Sequence, residues 1–251
     1  MFTDTRALEA AIAVAKARLV STRTLGDAVV VDVPVSYPSG ACAAVHVSLS
    51  GDKCLLSDSA IGLREAELAG ASDFFDHCAK DAAAWFGIAY DGASLLATAV
   101  PLDRLDGAIV AVSNASTMAV GRALVRAAEA KERQANAAVY DRVVDVFGRQ
   151  NVTKRSEIPG RDAVWEAHNV VTIGGQRAVF EFVGEHGNAI ANRFLMFSDL
   201  IKVANGPSLV SVVASLAKMT KKANMLADVS SILEIGADRD QFERYARFKR
   251  G

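Results

Sequence analysis

Apolar residues recur at helical spacing near the start of the chain: Leu8, Ile12, Ala15 and Leu19 share one face, so an opening helix capped by Asp4, with that face buried, is expected. Alternation then replaces the helical period. Val29, Val31, Val33 and Val35 fall on one side of a strand, and after the turn residues Tyr37 to Gly40 a second strand alternates through Val45, Val47 and Leu49. The Ser50-Gly51-Asp52 turn leads to a third strand over Lys53 to Ser57. Together they predict an antiparallel meander whose solvent face carries Asp32, His46 and Ser48.

After Asp58 the period becomes helical again. A short helix, with Ser59 as its cap, runs through Leu68 to a stop at Gly70. A second is capped by Ser72 or Asp73, carries the stripe Phe74, Cys78, Ala82 and Trp85, and ends at Gly87. Asp91-Gly92 between two short apolar runs predicts a hairpin. Pro101 opens a long alanine-rich helix to about Gln134, weakened at Gly107 and Gly121.

The composition turns charged near Gln134, which predicts two parts, 1–134 and 135–251. The second part opens with a helix burying Val139, Val143 and Phe147, followed by a basic, turn-rich segment from Arg149 to Arg161. Two strands joined at Gly174-Gly175 come next, then a helix over Ala189 to Ala204, a buried strand over Ser208 to Ser215, a helix over Lys218 to Ile232, and a basic terminal helix. The expected class is α/β in the α+β sense: an antiparallel meander packed with helices, then an αβββαβ mixed sheet.

With 251 residues and 51% hydrophobic side chains, the chain can bury a substantial core. Its 28 Lys and Arg balance 29 Asp and Glu, so no global positive field draws it to nucleic acid or acidic membrane. Cys42, Cys54 and Cys78 lack metal-knuckle spacing and predict reduced core thiols. There is no uninterrupted apolar run of membrane-spanning length, and the opening segment does not follow a basic stretch with an apolar one, so a cytoplasmic protein with no membrane partner is expected.

The common phosphate cradles, the zincin helix and the nucleophile elbow are absent. His46, His77, His168 and His186 show no helical pairing that would bring two of them to one metal. The αβββαβ order of the second part resembles the PD-(D/E)XK nuclease core. That resemblance implies a divalent cation, Mg2+ or Mn2+, held by Asp162 or Glu166 and by Glu181, with the polarised phosphodiester attacked by water. The lysine of the motif falls on Val183, leaving Arg177 or Arg193 to replace its charge. The bland alternative places Glu166 and Glu181 on the solvent face of a two-stranded ribbon, and without the nuclease reading no cofactor is expected.

The segment from Gly51 to Gly70 is similar to a stretch in bacterial and phage two-part proteins built from domains of unknown function, in which a strand ends in a Leu-(Ser/Thr)-Asp-Asp-Gly turn. Leu56-Ser57-Asp58 matches, whereas Ser59 and Ala60 depart. The resemblance implies a two-part architecture and a link to mobile elements or phage defence. Asp58 is either a binding residue or a helix-capping carboxylate at a strand-to-helix corner. Positive charge gathers at Arg149, Lys154, Arg155 and Arg161, at Lys218, Lys221 and Lys222, and at Arg244, Arg247, Lys249 and Arg250. Convergence of these groups would make a phosphate-binding surface, with little aromatic support for base stacking.

The expectation is therefore a non-catalytic interaction protein with a protein or nucleic-acid partner. The rivals are a metal-dependent nuclease using Asp162, Glu166 and Glu181, and a structural or chaperone-like homodimer built on the alanine-rich helix.

Overall fold

The computed structural model describes residues 5–185, 187–219 and 224–246. The fold is α+β, with one antiparallel and one mixed sheet in two compact units, Met1–Glu129 and Ala130–Gly251. Asp4, proposed as the first cap, and His186, Lys221, Lys222, Arg247, Lys249 and Arg250 lie outside the described residues.

The first unit opens with α1 (Thr5–Leu19) and carries a sheet in the order β1-β2-β3-β4-β6-β5. Its strands are β1 (Ser21–Leu25), β2 (Ala28–Ser36), β3 (Cys42–Ser50), β4 (Lys53–Ser57), β5 (Ala89–Tyr90) and β6 (Leu95–Val100). The meander β2-β3-β4 forms as its alternation predicts, with Val47 opposite both Val29 and Leu56. Two helices follow β4: α2 (Ile61–Leu68) and α3 (Ser72–Phe86). The core joins Val31 and Val33 to Phe75, Cys78, Ala79 and Ala82 of α3 and to Ala115, Ala119 and Ala123 of the long helix α4 (Leu105–Phe147). Val45, Cys54, Leu56 and Ala97 meet Val112 beside it.

Several expectations are corrected. The apolar face of α1 is exposed, with Leu8, Ile12 and Leu19 at 54%, 49% and 55%. Cys78 and Ala82 of the expected α3 stripe are buried, but Phe75 takes the fully buried place expected of Phe74, which is only partly buried, and Trp85 points outward. The helices α2 and α3 are preceded by Ala60 and Ala71, not by the serines expected as caps. Asp32, His46 and Ser48 are half-buried, with Val30 buried among them. Cys54 and Cys78 are core thiols, but Cys42 is exposed. The alanine-rich helix does not break near Gln134: α4 runs on to Phe147, because the intervening residues are good helix formers with no glycine or proline. By length and composition Leu102–Phe147 would also reach across a membrane, although the same helix supplies Val112, Ala115, Ala119, Val139 and Val143 to the cores.

The second unit has the expected αβββαβ order and one strand more. Its sheet runs β11-β10-β9-β8-β7 through β7 (Val152–Pro159), β8 (Val164–Ile173), β9 (Gln176–Phe182), β10 (Ser208–Val213) and β11 (Ser231–Glu234). β7, β8 and β9 are antiparallel, whereas β10 lies parallel to β9 and β11, the arrangement a helical crossover permits. One face packs Phe180 against Val139, Val143 and Phe147 of α4 and against Phe242 of α7 (Arg239–Ala246). The other face packs Val170 and Val179 under Met196, Phe197 and Leu200 of α5 (Gly187–Leu200). Arg142 of α4 donates to the Ala237 carbonyl and Arg239 of α7 donates to the Val146 carbonyl, a reciprocal pair that holds the two helices together.

The helix expected over Lys218 to Ile232 is reduced to α6 (Asn224–Ala227), and β11 follows it. The basic segment after Arg149, expected as irregular chain or a short strand, is the eight-residue β7, an edge strand whose charged side chains face water.

Candidate functional site

Asp58 directly follows β4 in the first unit, and the next two residues, Ser59 and Ala60, both have left-handed backbone, φ 50° and 59°. Left-handed backbone is uncommon for serine and alanine, so the corner is strained at both positions. The tight corner aims the Asp58 carboxylate inward. Oδ1 accepts from the amides of Leu95 (2.9 Å) and Ala60 (3.3 Å), and Oδ2 accepts from the Gly62 amide (3.3 Å) and from Ser116 Oγ (2.7 Å). Because Ser116 donates to Asp58, its oxygen receives the Tyr37 hydroxyl, 2.8 Å away.

Burial is the largest influence here. It raises the Asp58 carboxyl above the usual range, against the lowering effect of Ser116 and the amides, and it pushes Tyr37 up to about 12. Gly62 leaves the room: a Cβ there would lie 2.5 Å from Ser116 Oγ and 3.0 Å from Asp58 Oδ2. Asp58 therefore meets the capping expectation through the Gly62 amide in the first turn of α2, and it also ties β6 and α4 to the corner. Its carboxylate is saturated with donors and closed to solvent.

The second unit holds a different arrangement. β8 and β9 pair from Val170–Val179 to Ile173–Gln176 and then part. Side chains fill the opening. Glu181, fully buried, accepts from the His168 amide through Oε1, while Oε2 lies 2.8 Å from His168 Nδ1 and 3.2 Å from Arg193 Nη2. A carboxylate can only accept, so Nδ1 carries the proton. Asn169 Nδ2 donates to the Phe180 carbonyl beside it. Arg193 reaches on to Glu132 of α4 at 3.6 Å. The chain Glu132, Arg193, Glu181, His168 thus runs from the surface to the middle of the sheet, and the buried charge is paired and hydrogen-bonded as its desolvation requires.

The proposed catalytic carboxylates do not converge. Glu181 lies on the face of Val179, toward α5. Glu166 lies between Trp165 and Ala167, which pack toward α5, so its own side chain leaves by the opposite face, exposed and opposite Glu157. Asp162 is 71% exposed in the β7–β8 turn, near Arg161 alone. Among the described residues no group of three or more His, Cys, Asp or Glu is placed to hold a metal. Where the motif would have its lysine, Val183 is buried with Ile190, Val213 and Leu226.

The basic residues are also separated. Arg193 is engaged by two glutamates. Arg149 and Arg177 lie at the end of β7 where Val152 pairs with Val171, and Arg161 lies beyond the other end, roughly 25 Å along the strand. Arg155, with left-handed backbone (φ 55°), and Lys154, its ammonium 4.9 Å from the Tyr140 ring centroid, lie between them. Lys218 is exposed after β10, and Arg244 stands over the Tyr245 ring.

One buried carboxylate was not foreseen. Asp199 of α5 accepts from the amides of Asp162 (2.9 Å) and Ala163 (3.2 Å) and from Trp165 Nε1 (2.7 Å). The Trp165 bond is the largest cause holding its carboxyl below the usual range. Asp162 thus matters through its backbone. The available signal was an acid placed among the inward residues Met196, Phe197 and Leu200. No protein-family model, curated protein or solved structure matches the chain.

Proposed function

We propose that this chain is a non-catalytic interaction protein that works by presenting surfaces to other proteins. The observation that supports the reading is α1, a 15-residue helix whose Leu8, Ile12, Val14 and Leu19 face outward. A helix of that length is marginal in water by itself and is normally stabilised by covering its apolar face. Meanwhile Asp58, Glu181 and Asp199, the buried carboxylates among the described residues, are each occupied by internal donors.

The occupant that fits α1 is a second copy of the chain. Leu8, Ile12, Ala15 and Leu19 follow at steps of four, three and four, a pattern that reads alike in both directions. An antiparallel pair sets Leu8 against Leu19 and Ile12 against the small Ala15, the self-complementarity a two-fold interface needs.

Sedimentation equilibrium tests this directly. The parent chain is expected at dimer mass, and Leu8→Glu with Leu19→Glu at monomer mass, because charge on the paired apolar face opposes its burial. A monomeric parent, or a variant that keeps dimer mass, would refute the self-pairing. The catalytic rival is tested by incubating the purified chain and Glu181→Gln with DNA and RNA in Mg2+ or Mn2+. No cleavage is expected, and cleavage by the parent that Glu181→Gln abolishes would overturn the reading.

A further inference from the structure

Strand β6 is covered on its outer side only at its start. β5 supplies Ala89 and Tyr90, opposite Leu96 and Leu95, and among the described residues no strand continues along Ala97 to Val100. A groove of about 870 Å3 lies there. It is lined by every residue from Leu96 to Pro101 in succession. A hollow over one face of a strand would be lined by alternate residues, so this one follows the strand's edge, where backbone amides and carbonyls are offered.

The facing wall comes from the start of the long helix. Arg104, Gly107, Ala108 and Ala111 line the groove at steps of three, one and three, the spacing of one helical face. Three of the four are small, so a second backbone can approach closely, and a Cβ built on Gly107 meets no atom within 4 Å. Arg104 is the one charged side chain among the lining residues, and it is exposed.

We propose that this groove receives an extended segment of a partner protein, added to β6 in line with β5, with an acidic side chain of the guest against Arg104. The open strand edge supplies main-chain pairing and the cation selects the guest's charge. The Leu95 amide and carbonyl turn to Asp58 on the β4 side, so by alternation those of Ala97 turn to β4 and those of Thr98 turn outward; Ala99, with left-handed backbone (φ 55°) where the β4–β6 register shifts, ends the edge there, which makes the site short and leaves selection to Arg104. No residue of α1 lines the groove, so the two proposals are tested separately.

The probe is an acetylated, amidated hexapeptide of alternating valine and threonine with one central aspartate. Its controls carry lysine in place of the aspartate, or N-methyl groups on the strand-pairing amides. Titrated into the full-length 15N-labelled chain, the aspartate peptide is expected to shift the amides of Ala97, Thr98 and Gly107 and to bind about fivefold more tightly than the lysine peptide. Arg104→Glu should reverse that preference, and N-methylation should abolish the shifts. Gly107→Leu, which enters open space, should block the groove while the unfolding midpoint stays near the parent value. The proposal is overturned if the β6 amides do not move, if Arg104→Glu leaves the preference unchanged, or if the N-methylated peptide binds equally well.

Discussion

Ser116 Oγ donates to Asp58 Oδ2 across 2.7 Å, although 58 positions separate the two residues in the chain. Burial raises the Asp58 carboxyl in the folded state, so folding favours its protonated form. The stabilisation from this group is complete below the ordinary carboxylate range and is lost as pH rises through the raised folded value. Asp58→Asn is expected to cost about 1–3 kcal/mol in acid, and the difference from the parent should shrink as pH rises. Urea unfolding at a series of pH values measures this, and a difference that grows with pH would contradict it.

Gly62 sits inside α2, where alanine would ordinarily help by about 1 kcal/mol. The space decides otherwise. The added Cβ would come within 2.5 Å of Ser116 Oγ, 3.0 Å of Asp58 Oδ2 and 3.3 Å of the Phe75 ring. Gly62→Ala should therefore destabilise by about 1–3 kcal/mol, and thermal unfolding will show whether crowding outweighs propensity.

Asp199 shifts in the opposite sense from Asp58. Its carboxyl is held low by the Trp165 bond first, then by the Asp162 and Ala163 amides and by Lys202, against the raising effect of desolvation. The stability it contributes is present above the ordinary carboxylate range and lost as pH falls through the lowered folded value. In a Trp85→Phe background, acidification should change Trp165 emission with a midpoint below that of a free aspartate. Asp199→Asn should remove that transition. Gly160→Ala, whose Cβ would collide with the Asp199 carboxylate, should disturb the same emission at neutral pH.

Removing Arg193 would leave the Glu181 charge buried with only His168 beside it. Arg193→Met is expected to cost about 3–5 kcal/mol, more than Glu181→Gln, which removes the charge and keeps the shape. The double variant should recover part of the loss, with a coupling of about 0.5–3 kcal/mol in a denaturation cycle. Simple additivity would mean that the two side chains do not act as a pair.

The meander and the hairpins at Asp91-Gly92 and Gly174-Gly175 were legible because period-two alternation and turn residues are local signals. β1 escaped because Ser21–Leu25 buries nothing and so carries no alternation. β7 was legible only as irregular chain or a short strand, because an edge strand keeps Lys154, Arg155 and Glu157 in water and resembles a loop in composition. The exposure of every described side chain of α1 and the burial of Phe75 in place of Phe74 depend on which neighbours exist, which spacing does not encode. The polar networks lay further out of reach. Asp58 was singled out and its capping bond foreseen, but Ser116 and Tyr37 are joined to each other across 79 positions, and Asp199 meets a turn 36 and 37 positions earlier. The split between β8 and β9 that gives Glu181 its place is a break in a ladder, and a residue pattern records the ladder more readily than its interruption.

The crossed bonds of Arg142 and Arg239 span 95 and 93 positions. They couple the beginning of the second unit to its final described helix, and Phe242 on that helix closes over Phe180 at 5.8 Å between ring centroids. A nascent chain would have to wait for residue 242 to be synthesised before that aromatic stack could form, so the second unit should mature late and in one cooperative step.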